Sequence, residues 1–517
     1  MPPISSSLTP LELAQQLEAF FTANPRAVLL EDGRELFDMR RARYSITSEH
    51  NRCMLHLWSE ERNVVRTVTG LRPRARSLQL ETRRFGQSKP QTLQLLPDQD
   101  RRTPTARDTG RRQFLHQVQS LVEQHLEGKL ENFSTAMDLE QSLGPAYARG
   151  LLTRGPSAWA VVGVNPQEDA ATLQNAITIG ILWLHACRRR LEGRRVVEGL
   201  HLLLPRDTVG PVRERMAWLD RSLAKWRLWE YDPQGSSLTP VDTSDTGNLS
   251  FRLNHAFDPD AAVARSRETL ASVLAMLPPV LRSNTEVRPR SASEIALLLH
   301  GLEYARIRRE PVPGSFQLTD RVTFGAGPGE TELNEETQPW LLDLASRLVQ
   351  SRHPGGLPRD PLYRMQPEPW LEAQLRQNFD LLDPALRGEF LYAQVPAFSA
   401  ADRGLLDLLT VTRSGRLAIL ELKADEDMHL PVQALDYWIR VRALHRSGEL
   451  QSHGYFPGVE LSAADPLLYL VAPALRLHPT YPILLQYFAP EVEWQVVGLD
   501  EHWREQPRVI LRRRCSS

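Results

Sequence analysis

Asp407, Glu421 and Lys423 have the types and spacing of a reactive site, in LLDLLTVTRSGRLAILELK over 405–423. An apolar strand carries Asp407, a turn falls at Arg413-Ser414-Gly415, and a second apolar strand ends in Glu421-Leu422-Lys423. Side chains alternate faces along a strand, so the two carboxylates share a face only in the right hairpin register. A two-residue loop at Ser414-Gly415 pairs Asp407 with Leu422 and separates them. A three-residue loop pairs Thr412 with Arg416, and therefore Asp407 with Glu421. Such a loop ends in a left-handed residue, a conformation glycine adopts cheaply, and Gly415 stands there. Lys423, two residues beyond Glu421, points to the same face.

Two carboxylates with a backbone carbonyl make an oxygen-rich site for a hard cation such as Mg²⁺. Such an ion polarises a phosphodiester and acidifies water, and a lysine beside it orients the water or offsets developing negative charge. The simpler alternative is a hairpin end carrying solvated charges. Against it, Leu417-Ala418-Ile419-Leu420 reads as a strand buried on both faces, which places the charges at its end in a fixed position.

After the strand–turn–strand, a helix begins near Pro431 with Gln433 in its first turn. The stretch Leu405–Trp438 resembles the core of the PD-(D/E)xK nuclease superfamily, the restriction-endonuclease-like fold. The resemblance covers the last third of the chain. It implies Asp407 as the first acidic motif, Glu421 and Lys423 as the E-x-K motif, Gln433 as the helix glutamine and Glu372, in PEPWLEAQLRQNF, as a carboxylate from the preceding helix. It also implies Mg²⁺ (or Mn²⁺) on Asp407, Glu421 and the Leu422 carbonyl, and a nucleic acid substrate, DNA rather than RNA. Without the resemblance, Glu372 reads equally as an i,i+4 partner of Arg376. Gln433, Tyr437 and Arg440 share a helix face directed at a scissile phosphate, and packing explains Tyr437 equally well. His429 reads as a loop surface residue near the motif. A rival reading is a non-catalytic nucleic-acid-binding or assembly protein that keeps the scaffold.

These residues sit in an α/β multidomain chain of 517 residues, 41% hydrophobic and 24% charged, with a formal net charge of −1. Near neutrality argues against a protein that coats nucleic acid over its whole surface. Cys53, Cys187 and Cys515 lack metal-ligand spacing and form no disulfide framework. With no signal core and no long uncharged apolar run, the expected compartment is cytoplasmic.

Four regions are expected. Residues 1–110 form a helix (Thr9, Pro10 and Glu12 as its capping signals) and a small β-rich domain. Arginines crowd its strands and the linker RRTPTARDTGRR, which reads as flexible. Residues 111–240 are α/β, and 241–360 are a mainly helical connection, with SASEIALLLHGLEYARI as one helix. Residues 361–517 hold the nuclease-like domain. The second region reads as a degenerate copy of the fourth: setting Trp159 on Leu417 aligns WAVVGVNPQEDAATLQNAITI with LAILELKADEDMHLPVQALDY without a gap. Glu421 then meets Gly163, Lys423 meets Asn165 and Asp407 meets Arg149, so the reactive groups vanish together.

Overall fold

The computed structural model describes residues 9–515 apart from 32–33, 40–41, 50–51, 59–62, 75–76, 84–90, 98–103, 136–143, 145, 234–236, 245–250, 313–316, 328 and 399–402. The chain is mixed α/β and divides into two compact units, Met1–Ser120 and Leu121–Ser517. No helix among the described residues is long and apolar enough to cross a membrane.

In the first unit Thr9 and Glu12 form a capping box. The Thr9 N–H donates to Glu12 Oε2 at 2.7 Å, and the Glu12 N–H donates to Thr9 Oγ1 at 3.3 Å. The helix Pro10–Ala23 buries Leu13, Leu17 and Phe21 against a seven-stranded antiparallel sheet. Cys53, Leu55 and Leu57 alternate with half-buried Met54, His56 and Trp58, as one covered face requires. Two strand arginines are already neutralised, Arg66 by Glu31 at 3.1 Å and Arg72 by Glu81 at 2.8 Å. The segment expected as a flexible linker is helical from Pro104, in a helix that runs to His125, and its residues 101–103 lie outside the described residues. Proline at the first helical position and the apolar spacing of Phe114, Val118, Leu121 and Val122 explain the difference.

Two of the sheets in the second unit share one strand order, the second of them extended at its edge by Arg252–Leu253, antiparallel to Tyr392–Phe398. Three strands, Lys129–Ser134, Tyr147–Arg154 and Ser157–Val164, pair antiparallel in succession. The helix Ala176–Leu191 then crosses to Val196–Pro205, and the short helix Gly210–Met216 crosses to Lys225–Tyr231, both strands parallel to their neighbours. Leu238–Val241 closes the edge antiparallel. In the second sheet Tyr392–Phe398, Arg403–Val411 and Leu417–Leu422 form the meander. The helix Leu430–Arg446 leads to parallel Leu467–Pro473, the helix Tyr481–Leu485 leads to parallel Trp494–Leu499, and Val509–Arg514 closes the edge antiparallel. One detail shifts an expected equivalence. The first hairpin turns on two residues, pairing Arg154 with Ser157, so Ala148 and not Arg149 stands opposite Gly163.

The two sheets share one apolar core through reciprocal helix contacts. Leu430–Arg446 of the second packs on Gly210–Met216 of the first, and Ala176–Leu191 of the first packs on Tyr481–Leu485 of the second. At the junction Leu219 and Phe488 form an isolated antiparallel bridge. The Asp220 N–H donates to the Tyr487 carbonyl at 2.8 Å, and the Ala489 N–H donates to the Trp218 carbonyl at 2.9 Å. Contacts in which each half gives the other what it receives are those of a two-fold interface, here within one chain. Trp218 and Trp438 meet edge-on at 4.7 Å beside it.

The region 241–360 departs from the mainly helical expectation. Three short helices (Pro259–Arg265, Arg267–Met276, Pro279–Asn284) precede a five-stranded antiparallel sheet, Thr285–Ser291 to Thr331–Glu332, and Gln338–Ser351 follows it. The stretch expected as one helix is a hairpin of Glu294–Leu299 and Leu302–Pro311. His300 and Gly301 form its turn with φ of 46° and 74°, and helices do not continue through left-handed residues. An unbroken apolar run such as Ile295–Leu299 has no period to separate a buried strand from a helix.

The junction carries a buried ion network. Asp436 Oδ1 accepts from Arg215 Nε at 3.4 Å and Asp436 Oδ2 from Arg440 Nη2 at 2.6 Å, with all three side chains buried. Removing the shared carboxylate leaves two buried guanidiniums facing each other, a change that typically costs about 3–5 kcal/mol. Asp436→Ala should therefore lower the denaturant midpoint of the full chain strongly. A midpoint within experimental error of the wild type would show that the network does not hold the halves together.

Candidate functional site

The carboxylate pair depends on the second hairpin. Leu408 pairs with Leu420, Leu409 with Ile419, Thr410 with Ala418 and Val411 with Leu417, a register whose next pair is Asp407 and Glu421. The turn is the three-residue form. The Thr412 N–H donates to the Arg416 carbonyl at 2.7 Å, the Gly415 N–H donates to the Thr412 carbonyl at 3.0 Å, and Gly415 has φ +80°. A Cβ on Gly415 would lie 2.2 Å from the Glu460 carbonyl oxygen, so both conformation and space demand glycine. Across the strands the Leu422 N–H donates to Asp407 Oδ2 at 2.9 Å.

Every residue of Leu417–Leu422 is buried, Glu421 at 4% exposure. Glu421 Oε2 has no hydrogen-bond partner. Burial pushes the Glu421 carboxyl well above the usual range, and the Asp407 charge adds to the rise, while Lys423 and the Asp407 N–H oppose it. Burial likewise pushes Asp407 up to about 6 against the relief of the Leu422 N–H; Glu372 and Glu368 raise it further and Lys423 lowers it. Tyr437 belongs to the same neighbourhood: burial first, then the charges of Glu421 and Asp407, push its phenol up. Lys423 is partly exposed, with its ammonium 3.8 Å from Asp427 Oδ2.

The remaining expected residues divide. Glu372, on the helix Pro367–Gln377, is buried within electrostatic reach of Asp407. Its carboxylate is held by Arg288 Nη1 at 2.9 Å, with Arg376 at 3.9 Å. Arg288 comes from the five-stranded sheet, 84 residues earlier, and no local pattern announces such a pairing. Gln433 is half-buried in the first turn of Leu430–Arg446, its N–H donating to the His429 carbonyl at 3.0 Å. Arg440 is turned to Asp436 at the junction. His429 is half-buried, its N–H on Asp427 Oδ1 at 2.8 Å; burial lowers its ring pKa, Asp427 opposes that and His478 adds to it. Two contributors went unread in the sequence, Glu368 and Asp427, although each stands four residues from a residue that was read, Glu372 and Lys423.

Among the described residues no three His, Cys, Asp or Glu side chains close into a ready cage. The donor set nonetheless suits a hard cation. Buried Glu421 and half-buried Asp407 oppose each other, Glu421 Oε2 has no protein partner, and the Leu422 carbonyl is adjacent in sequence, leaving further positions to water or substrate. In the other sheet the corresponding places hold Ala148 and Gly163, and Asn165 spends its side-chain oxygen on the Gln167 N–H at 3.1 Å.

Raised carboxyls make the fold bind more protons than the unfolded chain between the ordinary carboxylate range and about pH 6. Stability without cations therefore falls as pH rises through that window. Mn²⁺ in excess should raise Tm at pH 8, consistent with about 1–3 kcal/mol of ligand stabilisation, and the rise should fade towards pH 5. A pH-independent shift, or the same shift in Asp407→Ala/Glu421→Ala, would place cation binding elsewhere.

No model of a known protein family and no curated protein matches this chain, so the chemistry of the site stands on its own residues.

Proposed function

We propose that the Leu121–Ser517 unit is a metal-dependent nuclease of the PD-(D/E)xK type that hydrolyses phosphodiester bonds, of DNA rather than RNA. One observation carries the reading: half-buried Asp407 stands opposite buried Glu421, both with raised pKa values, and Glu421 Oε2 lacks any protein partner. Two such carboxylates side by side are unfavourable in the absence of a cation. The preference for DNA follows from the family resemblance of Leu405–Trp438. The restriction-endonuclease-like fold for 361–517 belongs to the same proposal, as does descent of the 129–241 sheet from a copy that has lost its chemistry.

Asp407, Glu421 and the Leu422 carbonyl would hold Mg²⁺ or Mn²⁺, which supplies Lewis-acid polarisation of the phosphodiester and a lower pKa for water. Lys423 orients the attacking water and offsets negative charge on the phosphorane as the new P–O bond forms and the P–O bond to the leaving sugar oxygen breaks. The attacking water gives up its proton to solvent, and the leaving oxygen takes one from it. Glu372 acts on Asp407 through its charge and restrains Arg288 and Arg376.

A second reading, a scaffold that binds nucleic acid without cutting it, is favoured by one contact. Arg288 occupies the Glu372 carboxylate that a complete acidic site would use.

Incubating the full chain with labelled single- and double-stranded DNA and RNA, with Mg²⁺, Mn²⁺ or EDTA, separates the two. Cleavage with metal and none in EDTA is the expected result. Asp407→Ala, Glu421→Ala and Lys423→Ala should each lower the rate by about 100-fold or more, a typical loss for a group that stabilises transition-state charge, with the far-UV spectrum unchanged. Wild-type rates in all three variants would remove these residues from the active site.

A further inference from the structure

The arginine that holds Glu372 also lines a cleft. Arg288, Arg290 and Arg306 of the five-stranded sheet and Arg376 of the helix Pro367–Gln377 face a cavity of 810 Å³. That is towards the upper end of the roughly 300–1,000 Å³ of small-molecule sites. Glu286, Glu294 and Glu303 lie on the same walls: Glu286 meets Arg288 Nε at 2.8 Å, Glu303 meets Arg306 and lies 3.7 Å from Arg290 Nη2, and Arg306 also has Glu294 at 3.6 Å and Glu330 at 3.5 Å. They do not exhaust the donors. A guanidinium carries five N–H groups, and Arg288 Nη2 is buried with no partner although its residue is only 6% exposed. Burial, and next the charge of Arg288, hold the guanidiniums of both Arg290 and Arg376 below their usual range, which marks positive charge crowded together. Arg288, Arg290 and Arg306 also line a second cavity of 440 Å³ bounded by Tyr304 and Phe324.

Aromatic rings complete the 810 Å³ cleft. His255 and Phe257 are exposed there, Phe257 at 37% and His255 stacked on His453 with centroids 4.3 Å apart, and Tyr392 and Tyr455 lie with their centroids 4.8 Å apart. Phe257 belongs to none of the apolar clusters formed among the described residues, and it is exposed. Guanidinium forks suit phosphate oxygens, and exposed rings suit unpaired bases, which offer a π-face only when they are not stacked in a duplex. Glu372 links the cleft to the acidic pair, bonded to Arg288 on one side and acting on Asp407 on the other.

We propose that this cleft binds single-stranded nucleic acid, with phosphates on Arg288, Arg290, Arg306 and Arg376 and bases stacked on Phe257 and His255. The strand is thereby led to the Asp407–Glu421 pair. The inference takes from the proposed function only the place where the strand arrives; binding in the cleft is independent of cleavage.

The test is fluorescence anisotropy of the full chain in EDTA, with a labelled 20-nucleotide single strand and a duplex of the same length, over a range of salt. The wild type should bind the single strand more tightly than the duplex. Phe257→Ala should weaken single-strand binding by about tenfold, the loss of one base–aromatic stack. Arg290→Ala should weaken it and reduce the salt slope by about 0.7 for the one phosphate contact removed. Phe257 is exposed, so its variant remains informative even if Arg290→Ala is poorly folded. The proposal is overturned if the wild type does not bind the single strand, if it prefers the duplex, or if folded Phe257→Ala binds as the wild type does. Absence of metal-dependent cleavage while Phe257 still matters for binding would overturn the nuclease reading and leave the cleft standing.

Discussion

Burying Glu421 beside Asp407 is the constraint around which the Leu121–Ser517 unit is arranged. Each carboxylate loses hydration in a strand pair surrounded by apolar side chains; the Asp407 charge adds to the rise of Glu421, and Glu372 and Glu368 add to that of Asp407. The fold relieves them only in part: one N–H from Leu422, one from Asp407, and the charge of Lys423. Residues that contributed only to packing would not need this arrangement. In the other sheet the same strand positions hold Ala148 and Gly163 and the core is complete without them. The unfavourable pair is thus an electrostatic demand separable from the architecture.

The paired sheets show how that demand is supported. Their helices exchange equivalent contacts about Leu219 and Phe488, so the sheet without the acidic pair supplies half the core of the one that has it. The buried network of Asp436 with Arg215 and Arg440 lies on the helix that also carries Gln433 and Tyr437. Movement at the junction would therefore be felt at Tyr437, on which the charges of Glu421 and Asp407 act, since packed helices shift as units.

The five-stranded sheet adds a different kind of support. Through Arg288 it reaches a carboxylate that belongs, by its effect on Asp407, to the acidic site. The same residue lines the cleft and keeps one buried donor without a partner. One residue thus joins two charge environments, and Glu372 is shared between a site poor in positive charge and a cleft rich in it.

What was legible in the sequence was local. The hairpin register followed from counting residues across Arg413-Ser414-Gly415 and from the one residue type that tolerates φ +80°, because strand alternation propagates a turn's geometry along both strands. The capping box at Thr9 and Glu12 and the buried strand Leu417–Leu422 were legible for the same reason. The 294–311 hairpin was not, because an apolar run without period fits a strand or a helix until the chain beyond it is in place. Nor was the shift from Arg149 to Ala148, which depends on a turn one residue shorter than its counterpart. Above all, the partner of Glu372 was invisible. Arg376, four residues away, is the neighbour that helix geometry proposes, yet Arg288 is the closer one, at 2.9 Å against 3.9 Å. Pairings within a turn or a helix are set by covalent spacing, whereas the Arg288 contact exists only because tertiary packing brings a distant strand to the edge of the site.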